Sequence, residues 1–216
     1  MSYKLDDYGI PIKHCFSYDN LFKFLMRLDF FKYEKTYLTS WFNIIKAISS
    51  SNELIYIDKD SKCFEYIMPI NSQNFYFHFQ YENIQEHIEK DIEKFKITKF
   101  NSNLFGENKL ISYFKEKYNF HHLIASKPIL LTSINLGNNN PKFIVIDGNH
   151  RVSAKTNCEF LYKTINCIIY NTLQPSDFSF KIDYLMWVFI NEINYFLSHE
   201  YVLENLLEHS CLNKIK

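Results

Sequence analysis

One stretch constrains the fold of this chain more than any other. The apolar run Phe143-Ile144-Val145-Ile146 ends in Asp147-Gly148-Asn149-His150-Arg151, and the residues that follow read as a helix. A β-rich run that passes into a helix through Asp-Gly implies a sharp strand–turn–helix, because Gly148 can take positive φ and carries no side chain to obstruct a close approach. Asp147 or Asn149 can cap the helix by accepting a hydrogen bond from an early N–H. A helix N-terminus presents unpaired N–H groups and the positive end of the helix dipole, so an Arg and a His in its first turn complete a candidate phosphate site. Arg151 offers a planar fork for bidentate contact with phosphate oxygens, and His150 can donate a hydrogen bond or move a proton near neutral pH. Ser153 and Lys155 lie in the next turn. The competing interpretation makes Asp147 a cap only, Arg151 a structural ion-pair partner and His150 a surface residue.

The surrounding segments give the turn a context. Lys127–Leu136 reads as a strand, Gly137-Asn138-Asn139-Asn140-Pro141 as the turn of a hairpin into Phe143–Ile146, Asn149–Leu161 as a helix and Thr164–Tyr170 as a further strand. Upstream, Leu110, Ile111, Phe114 and Tyr118 have helical spacing, which predicts a helix over Asn108–Tyr118. Nearer the N-terminus, helices are predicted over Tyr18–Arg27, Tyr37–Ser49 and Glu82–Phe95. Strands are predicted over Glu53–Ile57, Cys63–Met68 and Asn74–Gln80, with Asp58–Lys62 as a hairpin link. Phe75, Phe77 and Phe79 alternate as in a half-buried strand, and Glu82, Glu86, Glu89 and Glu93 form a solvated acidic face. A helix from Pro175 or Ser176 to about Leu197 and another from Tyr201 to about Cys211 close the sequence reading.

Composition narrows the function classes. The 24 Lys plus Arg balance 24 Asp plus Glu, and the local basic groups Lys94, Lys96, Lys99 and Lys115, Lys117 are interleaved with acids or apolar residues, so a solvated face is the more economical reading and DNA is a possible but not favoured partner. Five cysteines, at positions 15, 63, 158, 167 and 211, form no CxxC pair and leave one over, so neither a disulfide framework nor a zinc site is implied and a cytoplasmic location is expected. Cys158, placed inside the predicted helix, reads as a small hydrophobe rather than a nucleophile. The N-terminus lacks an apolar signal segment, and the most apolar run, Tyr184–Ile190, is far shorter than the roughly 20 residues that span a bilayer. The adjacent His121 and His122 point in different directions on most backbones, which argues against a shared metal.

From about Ile97 to Leu173 the sequence resembles the ParB/sulfiredoxin-like superfamily. The resemblance rests on a Pro128-Ile129 hydrophobic strand, a hairpin, the Asp147-Gly148-Asn149-His150-Arg151 turn, a helix and a closing strand. Members include partition proteins that bind CTP, sulfiredoxins that use ATP and free-serine kinases, which share a nucleotide phosphate site at this turn. The resemblance implies an α+β fold: a small mixed sheet with helices, carrying an N-terminal α/β extension and C-terminal helices. It divides the chain into residues 1–95, 96–173 and 174–216, the first and last packed on the nucleotide-type sheet. Asn149 stands where a sulfiredoxin has its reactive Cys, which argues against that chemistry, and 174–216 carries few bases, unlike a partition protein's DNA-binding region.

The implied activity is that of a Mg²⁺-dependent phosphotransferase or NTPase using ATP, ADP or CTP on a small-molecule acceptor. Gly148, Asn149, His150, Arg151, Ser153 and Lys127 would contact the nucleotide, with Ser126 beside Lys127, although a plain strand cap explains both as well. Asp147 is the candidate Mg²⁺ ligand by its position beside the phosphate turn, an N-cap being the alternative. Asp147, His150 and Glu107 are the candidate catalytic residues, Glu107 as the base because related kinases place a carboxylate in that region. The other class is a regulatory or DNA-associated module, of plasmid, phage or defence type, that uses a nucleotide as a switch.

Overall fold

The computed structural model describes residues 2–7, 9–51, 63–134, 142–198 and 206–214. In chain order the first elements are β1 (Ser2–Leu5), β2 (Pro11–His14), α1 (Tyr18–Leu25), α2 (Lys35–Ser50), β3 (Cys63–Ile70), β4 (Gln73–Gln80) and α3 (Tyr81–Lys90). Then come β5 (Ile97–Asn101), β6 (Ile111–Ser112), α4 (Phe120–Ile124), β7 (Ile129–Ser133), β8 (Phe143–Asp147), α5 (Asn149–Asn157), β9 (Thr164–Ile169), α6 (Lys181–Ser198) and α7 (Leu206–His209). The fold is α+β. Its contacts form two compact units, one made of 1–80 together with 174–216, the other of 81–173. That division differs from the three-part expectation, since the C-terminal helices group with the N-terminal elements.

The second unit holds a five-stranded mixed sheet in the order β5-β9-β7-β8-β6. β7 is antiparallel to β8 and parallel to β9, and β6 is parallel to β8. Its core is Phe105, Ile111, Ile129, Leu131, Val145, Val152, Ile165 and Cys167, all buried. Val152 comes from α5, so the helix that follows the Asp-Gly turn is seated on the sheet by an apolar residue one turn in. Burying a side chain of this size contributes roughly 1.5–3 kcal/mol.

The first unit is built around aromatic rings. In β4, Phe75, Phe77 and Phe79 are fully buried, but Tyr76 and His78 on the opposite face are buried as well. The strand is therefore covered on both sides, not half-buried as its alternation implies. Trp187 of α6 meets Phe77 and Phe79 edge-on at ring-centroid distances of 5.3 and 5.5 Å, and Phe189 packs on Phe22 of α1 and Trp41 of α2. From the other side Phe180, just before α6, stacks on Tyr3 of β1 at 4.5 Å. Within the first unit α6 is central because β4 and α2 offer it apolar faces. A two-residue loop joins β3 to β4, with Asn71 and Ser72 at φ 48° and 62°, the left-handed conformation that suits a tight hairpin.

Several element predictions shift. Asn108–Tyr118 is not a helix: it contributes the two-residue β6 and then runs without regular structure to Asn119. The predicted Glu82–Phe95 helix ends at Lys90, where a 3-10 turn follows, and α5 ends at Asn157, leaving Cys158 at its C-cap and Phe160 and Leu161 exposed. The expected strand Glu53–Ile57, the link Asp58–Lys62, the turn Gly137–Pro141 and the first part of the Tyr201–Cys211 helix lie outside the described residues. No helix among the described residues is long and apolar enough to cross a membrane.

Candidate functional site

The turn between β8 and α5 is sharp because Gly148 sits at φ 100°, ψ 21°, a left-handed conformation. A Cβ there would lie 2.6 Å from Ile129 Cδ1 and 2.9 Å from Arg151 Nη2, so the position also lacks space for a side chain. Gly148 is the N-cap of α5, and no side chain caps the helix. Asp147 therefore is not the cap that the sequence allowed. Its Oδ2 accepts a hydrogen bond from Arg151 Nη2 at 2.7 Å, one helical turn on.

Arg151 is a clamp. It is only 8% exposed; its Nη1 donates to the carbonyls of Lys127 (2.6 Å) and Pro128 (2.9 Å) while Nη2 holds Asp147. One guanidinium thus ties the start of β7, the end of β8 and the first turn of α5 together. The fork that would suit a phosphate is occupied by the protein itself, which realises the structural interpretation of this residue.

The rest of α5 behaves similarly. Asn149 Oδ1 accepts from the Phe114 N–H (2.8 Å), Ser153 Oγ from the Glu116 N–H (2.9 Å), and Lys155 Nζ donates to the Ala125 carbonyl (2.9 Å). Thr156 and Tyr113 share a hydroxyl contact at 3.0 Å. Side chains that read as phosphate contacts instead dock the segment 113–128 against the helix. Burial first, and then the nearby Arg151 charge, pull the Lys155 ammonium below its usual range. At the start of α5 the Arg151 charge is offset by the Asp147 carboxylate, whereas Lys155 stands in the last turn of the helix.

His150 is exposed, at the second position of α5. Its ring stacks on that of His122 from α4, with centroids 4.9 Å apart and planes at 26°. His122 Nδ1 accepts from the Asn119 N–H at 3.1 Å, which in the neutral ring leaves the proton on Nε2, available to a ligand. The capping box of Asn119 and His122 fixes this orientation. Sequence reading weighed His122 only as a partner of His121; the Asn-x-x-His spacing was the available signal for its fixed placement.

The remaining candidates are not brought to the turn by their side chains. Lys127 is exposed and its ammonium engages Tyr81, lying 5.1 Å from the ring centroid and donating to the hydroxyl, so only its carbonyl serves the turn. Glu107 is exposed in the loop before β6. Because β6 runs parallel to β8 with Ile111 opposite Phe143, that loop lies where β8 begins, whereas Asp147 ends it. At about 3.3 Å per residue the five-residue strand puts on the order of 13 Å between the two ends. Among the described residues no three or more His, Cys, Asp or Glu side chains gather as a metal site, and one Asp147 oxygen is already bonded to Arg151.

A second ionisable cluster, in the first unit, escaped the sequence reading. His78 is fully buried, with Nδ1 2.7 Å from Asp183 Oδ2 and Nε2 3.3 Å from Glu65 Oε2. Asp183 Oδ2 also accepts from the His78 N–H at 2.9 Å, and Glu65 Oε2 from the Leu5 N–H at 2.8 Å. Burial works against the imidazolium, yet the Asp183 charge and then Glu65 outweigh it and raise His78 to about 9. His78 and Asp183 are sealed from solvent, while the Glu65 side chain is partly exposed.

Comparison with family models, curated proteins and solved structures finds no match.

Proposed function

We propose that the protein binds a nucleotide through its phosphates at the N-terminus of α5. In this reading it acts on them as a Mg²⁺-dependent phosphotransferase or NTPase with a small-molecule acceptor. The observation that carries the reading is the start of α5 at Gly148, where no side chain caps the first-turn backbone N–H groups, beside the exposed His150 and the His122 ring. Such a terminus attracts phosphate through unpaired donors and the helix dipole. The resemblance of 97–173 to the ParB/sulfiredoxin-like superfamily agrees with a phosphate turn at this place.

Roles are reassigned within this proposal. His150, with Nε2 of His122 beside it, takes over as the phosphate donor and proton carrier. Arg151, Asn149 and Ser153 become positioning residues that hold the turn and the segment 113–128. Mg²⁺ would arrive with the nucleotide, whose phosphates supply most of its ligands, and Asp147 is the carboxylate of the turn able to complete them. Glu107 has no part in it.

Thermal-shift titration with ATP, ADP, CTP and GTP, each with Mg²⁺, tests the proposal. One of them should stabilise the protein by about 2.7 kcal/mol at a hundredfold excess over Kd. His150→Ala, an exposed substitution, should weaken that nucleotide about tenfold or more at unchanged unliganded stability. Arg151→Lys should instead lower stability by about 3 kcal/mol, because one ammonium cannot serve two carbonyls and a carboxylate and leaves buried acceptors unpaired. No response to any nucleotide, or an equal response in His150→Ala, would overturn the reading. Salt-sensitive retention on DNA without nucleotide stabilisation would favour the regulatory module.

A further inference from the structure

The first unit contains a cavity of about 370 Å³ between α1 and the β3–β4 turn. Two cations, Lys23 and Arg27, line it, and no carboxylate does. Lys23 lies in the last turn of α1 and Arg27 just past its C-cap, Met26. Neither has an ion-pair or hydrogen-bond partner for its side chain among the described residues, whereas the neighbouring Asp19 is paired with Lys46. Asn20, Asn71 and Ser72 add neutral donors, and the Phe24 ring, 43% exposed, supplies an apolar wall.

The walls are tied together. Gln73 Oε1 accepts from the Ser17 N–H at 2.7 Å, and Asn71 Nδ2 donates to the Asn20 carbonyl at 3.5 Å, so the hairpin turn is bonded to α1 on both sides of the cavity. Ser17 in turn caps α1 by accepting from the Asn20 N–H. The opening is therefore a preformed feature of the hairpin–helix junction. Two like charges lining one opening repel, and a dianion between them would neutralise both. The volume lies in the range of small-molecule sites.

We infer that this cavity is a binding site for a small phosphomonoester. The phosphate would lie between Lys23 and Arg27, within reach of the Asn71 and Ser72 side chains, and a flat or apolar remainder would rest against Phe24. The site belongs to the first unit and does not depend on the nucleotide proposal for α5.

Calorimetric titration at low ionic strength with inorganic phosphate, phenyl phosphate and benzoate provides the test. Phenyl phosphate should bind most tightly, and the double variant Lys23→Gln, Arg27→Gln should weaken it about tenfold or more. Phe24→Ala should reduce phenyl phosphate to the affinity of inorganic phosphate. All these residues are exposed, and circular dichroism confirms that each variant is folded before titration. A control with Lys32→Gln, Lys35→Gln removes the same charge elsewhere. Equal binding by the Lys23/Arg27 variant, an equal loss in the control, or tighter binding of benzoate than of phenyl phosphate would overturn the inference.

Discussion

Replacing Gly148 by alanine should destabilise the second unit by about 4 kcal/mol. Two contributions make up the figure. Holding a residue with a Cβ at φ 100° costs roughly 1–3 kcal/mol in backbone strain. The new methyl would stand 2.6 Å from Ile129 Cδ1 and 2.9 Å from Arg151 Nη2, and overpacking of this kind adds roughly 1–3 kcal/mol. Ile129 is wholly buried and Arg151 is held by three hydrogen bonds, so neither can swing aside freely. Gly9→Ala supplies the control, because Gly9 has φ 75° but nothing within 4 Å of its added Cβ; it should show only the strain. Urea denaturation followed by far-UV circular dichroism, with hydrogen exchange at the amides of β8 and α5, reads the second unit. Fluorescence reads the first, since both tryptophans, Trp41 and Trp187, lie there. With a slope near 2 kcal/mol per molar urea, the midpoint should fall by about 2 M. A loss no greater than that of Gly9→Ala would refute the close approach of Gly148 to Ile129 and Arg151, and with it the geometry assigned to the turn.

Two further predictions concern the first unit. Because His78 is raised from its ordinary 6.5 to about 9, its ion pairs contribute stability that is complete below about pH 6.5 and is lost as pH rises through about 9. The loss should be about 3 kcal/mol in urea midpoints measured from pH 6.5 to 10, and a His78→Gln variant should lack that dependence; a wild-type protein as stable at pH 10 as at pH 6.5 would contradict it. Glu192 accepts from Tyr37 Oη (2.8 Å), Trp41 Nε1 (3.1 Å), Ser210 Oγ (2.7 Å) and the Cys211 N–H (2.6 Å). Glu192→Ala should therefore cost about 3–5 kcal/mol, and Glu192→Gln markedly less, measured by tryptophan fluorescence in urea; equal losses would show that the acceptor oxygens are not what matters.

The parts of the fold legible in the sequence are those where local pattern and tertiary packing agree. β4, β8, β9, α1, α2, α5 and the body of α6 follow from alternation or helical spacing, and Gly148 from its place between a strand and a helix. Asn108–Tyr118 misled because Leu110, Ile111, Phe114 and Tyr118 have helical spacing, but Asn149 and Ser153 of α5 bind the backbone N–H groups of Phe114 and Glu116 and hold the segment extended. Hydrophobic periodicity carries no record of such polar docking. The same contacts explain the site: the residue types around the turn were visible, but their partners, 23 to 37 residues away along the chain, were not. His150 and His122 are brought together by the cap at Asn119, and His78 and Asp183 by the meeting of β4 with α6, distances in sequence that no motif spans.

The discontinuity of the first unit sets an order for synthesis on the ribosome. The 81–173 unit is continuous and has its whole complement of strands once Leu173 has emerged, while β4 still lacks α6. At 5–20 residues per second, the 25 residues to the end of α6 take roughly one to five seconds more. Throughout that interval the aromatic strand from Phe75 to Phe79 has no Phe178 or Trp187 to cover it. Closure comes when Phe178 bridges to Phe79 and the Ser179 N–H donates to the His78 carbonyl, zipping the late segment onto the early hairpin. Slowing translation after Leu173 lengthens the exposure of that strand and should increase aggregation of the nascent chain.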